Sequence, residues 1–245
     1  MLPIGDRNPT RTTPFVNYVL LFANVGIFVW QYLIMLQGGE AWLVPGYGLV
    51  PTRIMNDPSG EAFTIFTSMF MHGSWLHLGS NMLFLYIFGD NVEDAIGHFR
   101  YVIFYLAAGL GAGLAQIFTD TSSMVPMVGA SGAIAGVLGA YMVLYPKAPI
   151  TVLNPTPLGF IFGFFLVLPA WVVAGLWFLY NLLSGVSSLG RIENGGVAFF
   201  AHVGGFLSGL LLIRPLHADR PRFEHDRWQD WRPPPRREPP SGRWG

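Results

Sequence analysis

The sequence predicts an all-α membrane protein, a bundle of six transmembrane helices with its N- and C-termini on the cytoplasmic side. Three observations carry that expectation. Of 245 residues, 52% are hydrophobic and 11% charged, against about 25% charged in soluble domains. Charge-free runs fall at 12–39, 62–89, 101–119, 121–146, 148–190 and 194–213, and each holds the roughly 20 apolar residues needed to cross about 30 Å of hydrocarbon. Positive residues also segregate. With six spans and an inside N-terminus, Arg7, Arg11, Arg100, Lys147 and eight tail arginines, 12 of 14, lie inside, in keeping with the positive-inside bias.

The elements follow in order. Residues 1–14 are a short polar leader, and 15–215 form the membrane domain. The first run is too long for a signal-peptide core and ends without a small-residue cleavage signal, so it is expected to remain as span one. Its Asn17, Asn24 and Gln31 recur every seven residues, which puts them on one slowly drifting helix face. They are expected to hydrogen-bond across helices. Residues 38–61 form an outer loop whose Trp42 and Tyr47 suit the membrane interface. Span two carries His72, His77 and Asn81, and span four contains GASGAIAGVLGA at 129–140. The fifth run starts at Pro155 and Pro157 and is continuously apolar only over 158–183, with Pro169 inside. It counts as one span, tilted or kinked by proline. Span six reads FFAHVGGFLSG around His202. Residues 216–245, ending in WRPPPRREPPSGRWG, cannot bury a core and are expected to be disordered. They read as a solvated end attracted to anionic lipid or as a docking motif whose partner is unknown.

Polar groups at membrane depth are costly and are functional hypotheses by default. His77, Asn81, Ser131 and His202 can be placed by helical rise, since spans two, four and six all run inward. At about 1.5 Å per residue, His77 lies about 20 Å and Asn81 about 14 Å from Asp90; Ser131 lies about 24 Å from Lys147, and His202 about 18 Å from Arg214. All four fit one layer nearer the outer face. A serine becomes a nucleophile when an imidazole within hydrogen-bond reach takes its proton, so Ser131 and His202 are the candidate catalytic pair. Gly205 and Gly209 on span six and Gly132, Gly136 and Ala140 on span four form small-residue faces that let two backbones approach. Their contact would deliver the hydroxyl to the imidazole. His77 and Asn81, four residues apart, share a helical face and suit an oxyanion hole, joined by the Ser131 backbone N–H at a helix start. His72, Gly129, Ala130 and Gly132 are candidates for the cavity wall. His72 also reads as an interfacial or structural histidine.

Zero cysteines exclude a thiol nucleophile or cysteine-ligated metal. No His-Glu-x-x-His motif occurs, and Asp90 and Asp94 belong to an inner loop and not to a membrane aspartate pair. No metal, cofactor or nucleic-acid partner is expected. Between Gly129 and Ile213 the one carboxylate is Glu193, which points to a Ser-His dyad without a third member.

In HLGSN at 77–81, GASG at 129–132 and AHVGG at 201–205, the sequence resembles the rhomboid family of intramembrane serine proteases over roughly 15–215. The resemblance implies a six-helix bundle, Ser131 as nucleophile, His202 as base, and His77, Asn81 and the Ser131 amide as oxyanion donors. It implies a water-filled cavity open to the outer side of a prokaryotic plasma membrane, and single transmembrane helices of other membrane proteins as substrates, cut near their outer ends. Some members carry a tyrosine one turn after the nucleophile that stacks on the base; Ala135 stands here, so another group must orient His202. Span five, with Pro169, Trp171 and Trp177, and loop 184–196 are the expected gate and cap. A catalytically silent factor that binds or dislocates transmembrane helices is the rival reading, and a channel or transporter a third.

Overall fold

The computed structural model describes residues 2–156, 160, 163–189 and 197–217. Leu2 opens its first strand. Pro157, Arg191, Glu193, most of the expected cap and the tail from 218 onward lie outside the described residues. Within them are six helices of 14 residues or more, here α1 (Phe15–Leu36), α2 (Trp75–Ile96), α3 (His98–Thr119), α4 (Ser131–Leu144), α5 (Ala170–Ser188) and α6 (Phe199–His217). α1, α3, α5 and α6 are long and apolar enough to cross a membrane. α2 carries Asp90, Glu93 and Asp94 toward its end, and α4, with 14 residues, is about 21 Å long.

The chain departs from the expected elements in three places. First, it is not all-α. Three short strands, β1 (Leu2–Asp6), β2 (Pro149–Leu153) and β3 (Phe165–Pro169), form an antiparallel sheet in that order. The polar leader thus supplies an edge strand, and the start of the fifth apolar run is a hairpin. Ile150 and Val152 are buried while their neighbours are half-exposed, the alternation of a strand with one covered face. Second, Pro169 does not kink a span; it ends β3 and caps α5, where its missing N–H leaves no helical bond unmade. Third, spans two and four begin later than their apolar runs. α2 starts at Trp75, where the Ser74 hydroxyl accepts the His77 N–H at 3.1 Å. Residues 64–70 before it are two short helical turns. α4 starts at Ser131, after a loop ending in Gly129.

α4 is the central element. Eleven of its residues are buried, leaving Ser131, Met142 and Val143 less so, as befits a helix apolar all round. The small-residue faces meet as expected. A Cβ on Gly205 would collide with the Gly132 carbonyl, one on Gly209 with the Gly136 carbonyl, and one on Gly139 would sit 2.5 Å from the Phe206 carbonyl oxygen. α3 closes the other side, with Ala108 and Ala112 against Gly136 and Gly132. Large apolar side chains on α1 and α5, among them Phe15, Phe22, Trp171, Tyr180 and Leu183, face outward. That is the surface a helix bundle presents to lipid tails.

The polar face of α1 is buried as expected, with one difference. Asn17 Nδ2 donates to the Leu85 carbonyl at 3.1 Å and its Oδ1 accepts from Tyr101. Gln31 exchanges two bonds with the His72 backbone. Asn24, however, donates to Leu20 within its own helix.

Candidate active site

Ser131 and His202 meet. The serine is the first residue of α4 and the histidine sits in the first turn of α6, and backbone contact between these helices brings Ser131 Oγ to 2.8 Å from His202 Nε2. The loop before Ser131 is held by a hydrogen bond from the Gly129 N–H to the Ser68 carbonyl at 2.9 Å. Gly129 has φ +127° and a Cβ there would sit 2.8 Å from the His77 ring. Both the backbone angle and the space therefore require glycine. His77 and the Asn81 amide thus pack against the segment that ends in the nucleophile candidate. Asn81 is 6% exposed, and its Nδ2 has no hydrogen-bond partner. A buried donor without a partner is rare in folded proteins and calls for an explanation.

These groups surround one cavity of about 550 Å³, walled by His77, Asn81, Gly129, Ser131, Gly132 and His202 together with Trp177 from α5. The four polar residues expected in one layer do share one site. Two expected wall residues do not. His72 is fully buried behind the cavity, its backbone held by Gln31 and its ring edge-on to His77 at 5.2 Å. Ala130 is also fully buried and turns into the apolar core. His72 lies in the segment before α2 and Ala130 is the residue just before α4.

The sequence offers no carboxylate as a third member and leaves open which group orients His202; in the structure Asn181 stands in that place. Its Oδ1 lies 2.6 Å from His202 Nδ1, and its Nδ2 donates to the Trp177 carbonyl at 2.8 Å. A carbonyl can only accept, so the amide nitrogen must face it and the amide oxygen must face the imidazole. His202 Nδ1 therefore carries the proton, and the Nε2 lone pair is free for the Ser131 hydroxyl. The signal was in the sequence, since Asn181 is the lone amide in the 158–183 run. The Trp177 ring lies 5.4 Å from the His202 ring, an aromatic neighbour supplied by α5 where α4 offers Ala135. Among the described residues there is no cluster of metal-binding side chains.

The geometry is one that a nucleophile, a base and an orienting group require. The Ser131 N–H, at the unbonded start of α4, adds a donor.

A rhomboid-domain family model matches residues 59–219. Among curated proteins, the chain is 31% identical over 219 residues to RHOMBOID-like protein 5 of Arabidopsis thaliana, covering 83% of the chain and 64% of that protein. It is 29% identical to the mitochondrial Rhomboid protein 1 of Saccharomyces cerevisiae, over 79% of the chain and 51% of the relative. With Rhomboid protease AarA of Providencia stuartii it shares 30% identity over 59% of the chain and 52% of the relative. The chain thus spans about half to two thirds of the length of these relatives. They include plant and mitochondrial proteins as well as a bacterial one, so they do not single out the prokaryotic plasma membrane of the sequence reading.

Proposed function

The chain belongs to the rhomboid family of integral membrane proteins, and from that premise we propose that it is an intramembrane serine endopeptidase that cleaves transmembrane helices of other membrane proteins. The observation that carries this reading is the 2.8 Å approach of Ser131 Oγ to His202 Nε2 beside an unpaired buried amide on Asn81. In this reading all six long helices cross the bilayer, with both termini cytoplasmic and the cavity opening to the outer side.

The mechanism follows from the proton inventory. Ser131 Oγ attacks the scissile carbonyl carbon while its proton passes to His202 Nε2. The carbonyl oxygen becomes an oxyanion beside His77, Asn81 and the Ser131 N–H, donors already in place where the charge develops. His202, now protonated at both nitrogens, gives the Nε2 proton to the leaving amine as the C–N bond breaks. Water entering the cavity repeats the sequence on the acyl ester and restores Ser131. Exposed backbone is needed for attack, so the substrate helix must unwind locally. Small or helix-weakening residues near its outer end favour this. α5, which lines the cavity through Trp177 and turns most of its surface outward, is the lateral entry.

A fluorophosphonate probe separates this reading from a silent binding or dislocation factor. Purified protein in lipid should be labelled on Ser131 and should cut transmembrane-helix substrates at sites mapped by mass. Ser131→Ala should lose both, by about 10⁴-fold or more in rate. Folded wild-type protein that resists labelling and cuts nothing would leave the silent factor standing.

A further inference from the structure

The polar side chain that meets the base comes from the helix at the cavity's flank. α5 buries four residues, Ala170, Ala174, Asn181 and Gly185, and three of them are small. Its start is fixed by backbone bonds, Ala170 N–H to the Ala148 carbonyl and Trp171 N–H to the Pro146 carbonyl, both 2.9 Å. Farther along it leans on α6 through ring contacts of Trp177 and Phe178 with Phe206 and through Gly185 against Phe199 and Phe200. Among the described residues, Asn181 makes the one side-chain hydrogen bond that runs from α5 to a neighbouring helix. That bond ends on the imidazole.

Resting on the serine-hydrolase reading above, we propose that Asn181 is a positioning residue that fixes the tautomer and direction of the His202 ring, and that it makes the base competent only while α5 lies against α6. A gap of about 0.5–1 Å costs ring contacts roughly a quarter to a half of their dispersion energy, and the same stretch carries the Asn181 bond, 2.6 Å long when α5 is packed, to or past the outer limit of about 3.2 Å. Outward movement of α5, pivoting on its fixed start, therefore breaks the Asn181 bond. The ring is then free to rotate, or to place its proton on Nε2, where it cannot accept from Ser131. Return of α5 restores both. Asn181 stays neutral throughout and can only accept from Nδ1, so the serine proton remains on Nε2 and passes to the leaving amine. Access to the cavity and competence of the base are thus set by one helix, and the hydroxyl is not activated while the flank is open.

The test uses the full chain in proteoliposomes. Histidine side chains are labelled with nitrogen-15, His202 is assigned by its loss in His202→Ala, and cleavage of a transmembrane-helix substrate and fluorophosphonate labelling are measured alongside. Wild-type protein should show His202 protonated at Nδ1. Asn181→Ala should scramble that signal and lower kcat by about 10- to 100-fold, the worth of a hydrogen bond to a charging group, with KM within about twofold. Asn181→Asp, which as a neutral acid can reproduce both bonds, should recover most of the loss and guards against a simple folding defect. Gly185→Leu, a wedge against Phe199 and Phe200 that touches neither Ser131 nor His202, should slow labelling and scramble the tautomer in the same way. An unchanged tautomer and kcat in Asn181→Ala would overturn the positioning role. Full labelling in Gly185→Leu would overturn the coupling to α5. Wild-type protein with an ordered Nδ1 tautomer but no labelling would sink the hydrolase reading and leave the positioning role standing.

Discussion

The two ends of the bundle treat polar groups in opposite ways. Around the cavity, hydrogen bonding is left incomplete. Asn81 Nδ2 is buried without a partner, and the Ser131–His202–Asn181 chain ends at an open space. At the other end, carboxylates tie the chain together. Glu93, fully buried, accepts the backbone N–H groups of Val16 and Asn17 at 2.9 and 2.7 Å and pairs with His98. Asp94 accepts from the Arg11 and Thr12 backbones and the Thr12 hydroxyl. Tyr101 closes the set on Asn17. The carboxylate end ties α1 and the residues before it to α2 through Glu93 and Asp94, with Asn91 Oδ1 its one buried unpaired side-chain acceptor among the described residues, and the cavity end leaves the Asn81 donor unpaired beside open space. If the cavity is the active site proposed above, stability and activity should be separable along the bundle axis.

The strongest way to break that contrast is to remove a donor at the open end. Asn81→Ala should lower kcat by about 10²- to 10³-fold if the amide meets an oxyanion, while thermal stability stays level or rises, because an unpaired buried N–H disappears with the side chain. Cleavage kinetics with a melting curve in the same lipid decide it; a large loss of stability would place Asn81 with the structural groups.

The reverse is expected at the latched end. Glu93→Gln exchanges one of two acceptor oxygens on the α1 N-terminus for a donor, which repels a backbone N–H it must face. A loss of about 3 kcal/mol is expected, typical of breaking a buried charged hydrogen-bond set. Activity per folded molecule should stay within about threefold, since Glu93 lies on the far turns of α2 from His77 and Asn81. Denaturation midpoints normalised to active-site labelling measure both quantities. Equal losses of stability and per-molecule activity would show the two ends to be coupled.

The same division marks what could be read from sequence. Ser131, His202, His77 and Asn81 were legible because polar residues stand out in apolar runs and helical rise is a ruler for their depth. The α4–α6 contact was legible because Gly132, Gly136, Gly205 and Gly209 repeat at the helix period. The sheet was not, because an apolar hairpin and an apolar span look alike in composition, and only the alternation at Ile150 and Val152 betrays it. Asn181 was missed because the run around it reads as one hydrophobic block, and its tie to His202 depends on how two helices pack. By charge alone Asp90 and Asp94 read as part of an inner loop. In the structure Asp90, Glu93 and Asp94 continue α2, where a helix end can be wet while its side chains seal the bundle.

The smallest expected effect sits where the sheet joins the latched end, at Asp6 of β1. Its carboxylate accepts from the Tyr141 hydroxyl at 2.6 Å, with Asn8 beside it and the acidic side chain of Asp90 near by. Burial raises its pKa from 3.8 to about 6, against the lowering effect of the Tyr141 bond. A carboxyl whose pKa is raised by folding is favoured in its protonated form by the folded state. The stabilisation it gives is therefore full below about pH 4 and fades as pH climbs through 6. For a partly solvated group this amounts to about 1 kcal/mol. The Arg7 N–H, which donates to the Pro149 carbonyl at 3.2 Å next to Asp6, is the local reporter. Its hydrogen exchange, corrected for the intrinsic pH dependence, should be several-fold better protected at pH 5 than at pH 7.5, and Asp6→Asn should flatten the difference. Protection that weakens on acidification would mean that β1 is held by charge at the latched end and not by a buried neutral acid, and the contrast between the two ends would then extend into the sheet.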